Sequence, residues 1–229
     1  VDAEGEFREV LQAAARLQEI LPDAVLVGGS AAAHHAAHRV SLDDDHVLTD
    51  LRERFEDVLR ALEETEGWVT ARVRPQVLIL GSLDGVETGI RQLIRRRPLE
   101  VEEVRVGDRS LRVPTLEEIL RIKAWLVLRR NATRDYLDLV ALAGRMGRRD
   151  AARVIVGMDE YYEDQVGPGG RRVATQLARQ LAEPAPYDLS DIDLARYRRL
   201  ADRWRNWDNV VDATRALAAE VLDLVTEGD

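Results

Sequence analysis

Cysteine is absent from the 229 residues, so no disulfide, thiol nucleophile or thiolate metal site can be built, and a reducing cytoplasm is compatible with the composition. Long apolar runs are also missing: none approaches the ~20 residues of a membrane span. The acidic opening Val1-Asp2-Ala3-Glu4 does not read as a signal peptide, and with no methionine at position 1 we expect a trimmed start. These absences together make a cytoplasmic protein without membrane contact the expectation. Positive charge is short as well. The net charge of -9 argues against a general DNA-coating role, which calls for a basic chain, although local basic patches remain open. Lysine is rarest of all: of 33 basic residues only Lys123 is one. A chain that uses arginine almost everywhere and keeps a single lysine points to a position where a compact ammonium is wanted instead of a planar fork.

Apolar residues at 45% and charged ones at 33% describe a globular chain, long enough for one large domain or two small ones around a real core. No internal repeat or low-complexity tract is visible.

The most informative stretch runs from Leu26 to Asp45. Ala24 to Val27 is a short apolar run that reads as a buried strand, followed by Gly28-Gly29-Ser30 and an alanine-rich helix start. Strand, glycine turn and helix start form an anion-binding geometry, because glycine lets backbone approach a phosphate and the free N–H groups of the helix face it. Ser30 can cap that helix or bond a phosphate oxygen. Beyond Arg39 comes Ser41-Leu42-Asp43-Asp44-Asp45. If it is extended, Asp43 and Asp45 share one face, about 7 Å apart, and can converge on a hard divalent cation that bridges to phosphates. A competing chemistry lies here too, since all four histidines (His34, His35, His38, His46) fall in this stretch. His34 and His38, four apart on a helix, could hold zinc with an aspartate, but no glutamate follows His34 in the metalloprotease pattern and no cysteine is available.

The order strand, Gly-Gly-Ser, helix, Ser-x-Asp-x-Asp resembles the signature of the nucleotidyltransferase superfamily. The spelling His38-Arg39-x-Ser41-x-Asp43-x-Asp45 resembles its AbiEii-type, MenT-like toxin branch. Further on, Lys123 followed by Arg134-Asp135-x-x-Asp138-Leu139 resembles the same family's Lys-then-Arg-Asp-x-x-Asp-Leu pattern. The resemblance covers roughly residues 20 to 145. It implies magnesium, or manganese in its place, on Asp43 and Asp45, and an NTP held by Gly28, Gly29, Ser30, Ser41, Arg39 and Lys123. It implies an acidic role in the site for Asp135, with Asp138 as second choice, a tRNA 3′ end as acceptor, and a cognate antitoxin as protein partner. Two departures stand out. Asp44 occupies a place where the family has an apolar residue, and Gln76 to Leu80 lacks the family's third carboxylate. Asp84 and Glu87, in the glycine-marked segment from Gly81 to Gly89 that reads as a turn, are the remaining candidates.

Elsewhere the pattern is mostly helical. Apolar residues at 7, 10, 11, 14 and 17 predict an amphipathic first helix, and residues 46 to 65 a second after the aspartate strand. Trp68 to Arg74 and Gln76 to Leu80 read as extended, and Val101 to Val106 with Arg109 to Val113 as a hairpin turning at Gly107-Asp108. Arg91, Arg95, Arg96 and Arg97 form a cluster that either touches RNA backbone or is a solvated face. Thr115 and Glu118 predict a capping box opening the helix that carries Lys123, which lies partly toward its apolar side and needs an anion. Residues 150 to 183 read as helices broken at Gly167-Pro168-Gly169-Gly170, and Pro184-Ala185-Pro186 makes a second break. Leu189 to Val225 reads as long amphipathic helix. Arg196, Arg198, Arg199, Arg203 and Arg205 interleave there with Tyr197, Trp204 and Trp207, a stripe that suits either an RNA end or ordinary packing.

The expected architecture is therefore an α/β (α+β) nucleotidyltransferase-like lobe with a mixed sheet over residues 1–145, then an all-helical lobe over 146–229, with the site in the cleft between them. The expected reaction moves an NMP from an NTP to a hydroxyl. Two alternatives remain: the same chemistry on a small molecule or protein, and a degenerate nucleotide-binding or interaction protein.

Overall fold

A computed structural model of the chain describes residues 3–166 and 172–227. The chain divides into two units, residues 3–34 with 40–115, and residues 35–39 with 116–166 and 172–227. The expected boundary at 145 lies within the second unit, near the end of one of its helices.

The first unit carries helices α1 (Ala3–Ile20), α2 (Gly28–Ala36, its last two residues counted with the second unit) and α3 (Phe55–Glu63). Its strands are β1 (Val25–Val27), β2 (Asp43–Leu48), β3 (Trp68–Arg74), β4 (Leu78–Leu83), β5 (Val86–Gln92), β6 (Val101–Val106) and β7 (Arg109–Pro114). Five strands form a mixed sheet in the order β1-β2-β5-β4-β3 in which only β2 and β5 run parallel, and β6 and β7 form a separate hairpin. One face of the sheet is covered. Leu17 of α1, Leu21 just after it, and Phe55, Val58 and Leu62 of α3 pack on Leu48, Trp68, Ile79, Leu83 and Ile90. Full burial of each such side chain contributes about 1.5–3 kcal/mol, which is what fixes the two amphipathic helices to that face.

Three expectations need correction. The helix expected from residue 46 starts only at Phe55, because β2 continues through Leu48 with Asp44, His46 and Leu48 buried in alternation. Pairing on both edges, to β1 and β5, overrides a helical spacing that those residues also fit. The segment from Gly81 to Gly89 is strand, not turn: the reversal is confined to Asp84-Gly85, both at positive φ (52° and 84°). The glycines mark close approaches instead. A Cβ on Gly81 would stand 2.5 Å from the Trp68 ring.

The second unit is helical. It contains α4 (Leu116–Arg130), α5 (Thr133–Met146), α6 (Arg148–Val156), α7 (Met158–Tyr161), α8 (Glu163–Val166), α9 (Val173–Ala182) and α10 (Trp207–Glu227). Its core joins Ile119, Ala124 and Val127 of α4, Leu137 and Val140 of α5, Leu177 and Leu181 of α9, and Leu217 and Val221 of α10. Trp125 stacks on Tyr162 with ring centroids 4.3 Å apart. The third correction falls here, since residues 189–206 are turns with two short 3-10 segments, Leu194–Arg196 and Asp202–Trp204, and only Trp207 begins a long helix. Asp193 caps the first of these by accepting from the Ala195 N–H (2.9 Å), an alternative that short acidic side chains offer the backbone against helix. The break expected at Gly167 to Gly170 lies outside the described residues. No helix among the described residues is long and apolar enough to cross a membrane.

Candidate active site on the mixed sheet

The glycine corner and the aspartate strand are brought together by antiparallel pairing of β1 with β2, which sets Val27 opposite Asp45. Gly28 turns the chain at φ 74° into α2, and its missing Cβ matters twice: the angle is left-handed, and a Cβ would come 3.1 Å from Asp45 Oδ2. Gly29 and Ser30 follow in the first turn of α2, where backbone N–H groups have no partner within the helix. The Ser30 hydroxyl, fully buried, donates to the Asp43 carbonyl oxygen at 2.5 Å and so ties α2 to β2. The Ser41 hydroxyl donates to Asp43 Oδ1 at 2.7 Å and orients that carboxylate.

Asp43, Asp45 and Val47 alternate onto the sheet face opposite the α1 and α3 core. The register sets Asp43 beside Glu87, Asp45 beside Gly89 and Val47 beside Arg91. A Cβ on Gly89 would lie 2.6 Å from Asp45 Oδ1, so glycine there leaves room for that carboxylate. Arg91 Nε approaches Asp45 Oδ1 at 3.4 Å, with the two side chains 48% and 30% exposed, a screened pair that leaves Asp45 accessible.

Of the two further acids, Glu87 is on the face of Asp43, and the register sets it directly beside Asp43. Asp84 sits in the β4–β5 turn and is ion-paired to Arg16. The expectation of a turn at Glu87 fails because the alternation of Val86, Thr88 and Ile90 with Glu87, Gly89 and Arg91 is the period of a strand.

The donor set suits magnesium or manganese: hard carboxylate oxygens on one face, with the Asp45 carboxylate lying against two glycines whose side chains would otherwise displace it. Among the described residues no three His, Cys, Asp or Glu side chains stand in a ready-made metal cluster, so phosphate and water would have to complete the shell, as magnesium tolerates. The zinc arrangement is not formed. Helix α2 ends at Ala36 and Ala37 adopts φ 48°, so His38 is off the helix that carries His34.

Asp44 and His46 point the other way, into the core. Asp44 lies beside Thr88, His46 beside Ile90, and His46 Nδ1 is 3.8 Å from Asp44 Oδ1. Burial, with smaller contributions from Asp45 and Asp43, pushes the Asp44 carboxyl up to about 8 against the pull of Thr88. Burial alone lowers His46 to about 3. Both side chains are therefore neutral at pH 7, and a protonated carboxyl takes the place where an apolar residue was expected.

The remaining candidates lie in the second unit, and their charges are already matched. Asp138, fully buried, accepts from Lys123 Nζ (2.7 Å), from Arg39 Nε and Nη2 (2.7 and 3.1 Å), and pairs with His38 Nε2 (2.7 Å). Burial alone would raise this carboxyl, but Arg39, then Lys123, then His38 outweigh it and hold it well below the usual carboxylate range. Asp135, also fully buried, is bonded bidentately by Arg130 (3.0 and 3.2 Å) and lies 3.7 Å from Lys123. The anion that the lone lysine needed is thus Asp138, and the second-choice acid is the hub. The arginine and aromatic stripe divides by residue type: its five arginines are exposed, while Tyr197 and Trp207 are half-buried and Trp204 is buried. Trp204 is buried under the Arg203 guanidinium (4.3 Å to the ring), Trp207 meets Tyr136 edge-on, and Arg196 and Arg205 pair with Asp193 and Asp202.

No family model matches the chain. Over 95% of its length it is 32% identical to the heme uptake protein MmpL11 of Mycobacterium tuberculosis, but it spans only 23% of that protein. It is 37% identical over 56% of its length to the mycolic acid-containing lipids exporter MmpL11 of Mycolicibacterium smegmatis, spanning 13% of it. Among solved structures it superposes on a candidate nucleotidyltransferase of H. pylori with a TM-score of 0.57 at 13% identity, covering 97% of this chain and 96% of that one. The fold is nucleotidyltransferase-like: a mixed α+β arrangement with a mixed sheet and a helical C-terminal region.

Proposed function

We propose that the chain is a metal-dependent nucleotidyltransferase that moves an NMP from an NTP to a hydroxyl, with an RNA 3′ end, tRNA first, as acceptor. The observation that carries this reading is the pairing of β1 with β2, which sets Asp43 and Asp45 on one accessible face next to the glycine corner that opens α2. In the reaction the acceptor oxygen forms a bond to the α-phosphorus, the bond to the bridging oxygen breaks, and pyrophosphate leaves. The N–H groups at the start of α2 face the phosphates, and Ser41 holds Asp43 in orientation. Glu87, beside Asp43, is the carboxylate assigned to take the proton of the attacking hydroxyl. Magnesium or manganese on Asp43 and Asp45 would neutralise phosphate charge and align the reacting oxygens. Lys123 and Asp135 enter through the resemblance alone, Lys123 as a cation offsetting charge on the departing pyrophosphate. A toxin role with an antitoxin partner has the same support.

The test is incubation of the purified chain with each labelled NTP, magnesium and total tRNA. Label on RNA that disappears in Asp43→Ala is the expected outcome, and an Asp43→Ala chain that labels RNA like the parent would sink the assignment. The similarity to MmpL11 proteins favours one second reading, a nucleotide-binding module that serves a transport system without transferring anything. NTP binding with no label on any acceptor selects it.

A further inference from the structure

The face that carries Asp43 and Asp45 continues across the sheet, and the register places every side chain on it. From Asp45 the row passes through Gly89 and Leu80 to Arg72, and from Val47 through Arg91 and Leu78 to Arg74. Arg72 and Arg74 belong to β3, the edge strand, three strand spacings of about 4.8 Å from β2. Both are exposed, and among the described residues neither has an ion pair or side-chain hydrogen bond. Their orientation depends on one irregularity. Trp68 and Thr70 face the core side, so plain alternation would send Arg72 and Arg74 there too. A register shift between Thr70 and Arg72, with Ala71 as the extra residue, moves both arginines to the carboxylate face and sets Val73 against Ile79 on the core side. Bulges that re-aim side chains in this way are features of a strand's use. The edge gains no stability from two unpaired cations.

We propose that this arginine-bearing half of the face is the acceptor-strand site: Arg72 and Arg74, with Arg91 between them and the carboxylates, hold backbone phosphates of single-stranded RNA whose terminal hydroxyl reaches Asp43 and Asp45. The proposal rests on the transfer reading and names the residues that select its acceptor. Guanidinium forks match phosphate geometry bidentately, and half-buried Leu78 and Leu80 give the strand an apolar floor beside the Asp45 carboxylate that lies over Gly89. In a chain of net charge -9, such contacts must be local to act at all.

A short fluorescein-labelled single-stranded RNA with a free 3′ hydroxyl tests this by anisotropy over a range of salt, comparing the parent chain with R72E/R74E. Loss of two phosphate contacts lowers the salt slope by about 1.4, at about 0.7 per contact on a single strand. Affinity at low salt falls about tenfold or more, while the melting temperature and the affinity for a fluorescent NTP analogue hold, since both arginines are exposed on the edge. An R72E/R74E chain that binds the RNA as tightly and with the parent's slope overturns the proposal. So does displacement of the RNA by polyglutamate as effectively as by unlabelled RNA, which would assign the arginines to an acidic protein. Absence of transfer in the parent chain would defeat the activity reading alone, because the binding arm is read without catalysis.

Discussion

The two pairs of carboxylates in this chain, Asp43 with Asp45 and Asp135 with Asp138, have the same chemistry and opposite surroundings. The strand pair is partly exposed and lined by glycine, with a hydroxyl and one screened arginine as partners. The helix pair is fully buried and saturated by Lys123, Arg39, Arg130 and His38. Such a cluster is a structural commitment, since its charges are tolerable only while all of them are present. A carboxylate with unused lone pairs facing open space is instead available to a ligand. The same residue type is thus charge-matched and buried in one unit and partly exposed in the other.

Removing one side of that contrast should give the largest effects. Asp138→Ala strands Lys123 and Arg39 in the core, and we expect about 3–5 kcal/mol of destabilisation in urea unfolding. A variant within 1 kcal/mol of the parent would refute the commitment just described. Asp45→Asn keeps shape and burial, so stability should hold while transfer falls about 10³-fold, several kcal/mol of lost charge stabilisation at the phosphates. Equal loss of activity and fold would erase the distinction between the pairs. Lys123→Met sharpens it from the other side: lost stability with the NTP KM unchanged places Lys123 in the core alone, whereas a raised KM at unchanged stability places it in the chemistry. Gly89→Ala drives a methyl to 2.6 Å from Asp45 Oδ1, and displacement of that carboxylate should raise the magnesium concentration needed for half-maximal transfer.

The smallest effect concerns the buried face of the same strand. Asp44 has a raised folded pKa of about 8, so from its unfolded value of 3.8 up to about 8 the folded state binds the extra proton and stability falls as pH rises. His46 does the reverse: its folded value of about 3 against 6.5 unfolded makes stability rise across that interval. The two slopes oppose each other from about pH 4 to 6.5 and leave only the Asp44 decline from about 6.5 to 8, at most about 1.4 kcal/mol per pH unit. Asp44→Asn should flatten that decline in thermal melts, and a slope identical to the parent's would show Asp44 to be ionised already.

Much of the first unit was legible because its signals are local. Gly28-Gly29-Ser30 and the alternation of Asp43 with Asp45 announce a tight turn and a shared strand face wherever they occur, and the hairpin at Gly107 announces itself in the same way. Glu87 was legible in principle through the period of Val86, Thr88 and Ile90, yet two glycines in strand read as turn to anyone without the Trp68 ring and the Asp45 carboxylate that occupy their missing side chains. Residues 189–206 misled for a related reason, since their helical spacing is outbid by caps and turns that depend on where Leu200 and Trp204 are buried.

By itself the sequence determined the glycine turn at Gly28, the shared strand face of Asp43 and Asp45 and the hairpin at Gly107, because turn chemistry and periodicity act over a few neighbours. Tertiary structure alone decided that Lys123 spends its charge on Asp138, that Asp44 is neutral in the core, and that a one-residue bulge turns Arg72 and Arg74 toward the carboxylate face. Partners 15 residues or more along the chain, and the register between strands, are set by packing free energy summed over a whole unit, which no local window contains.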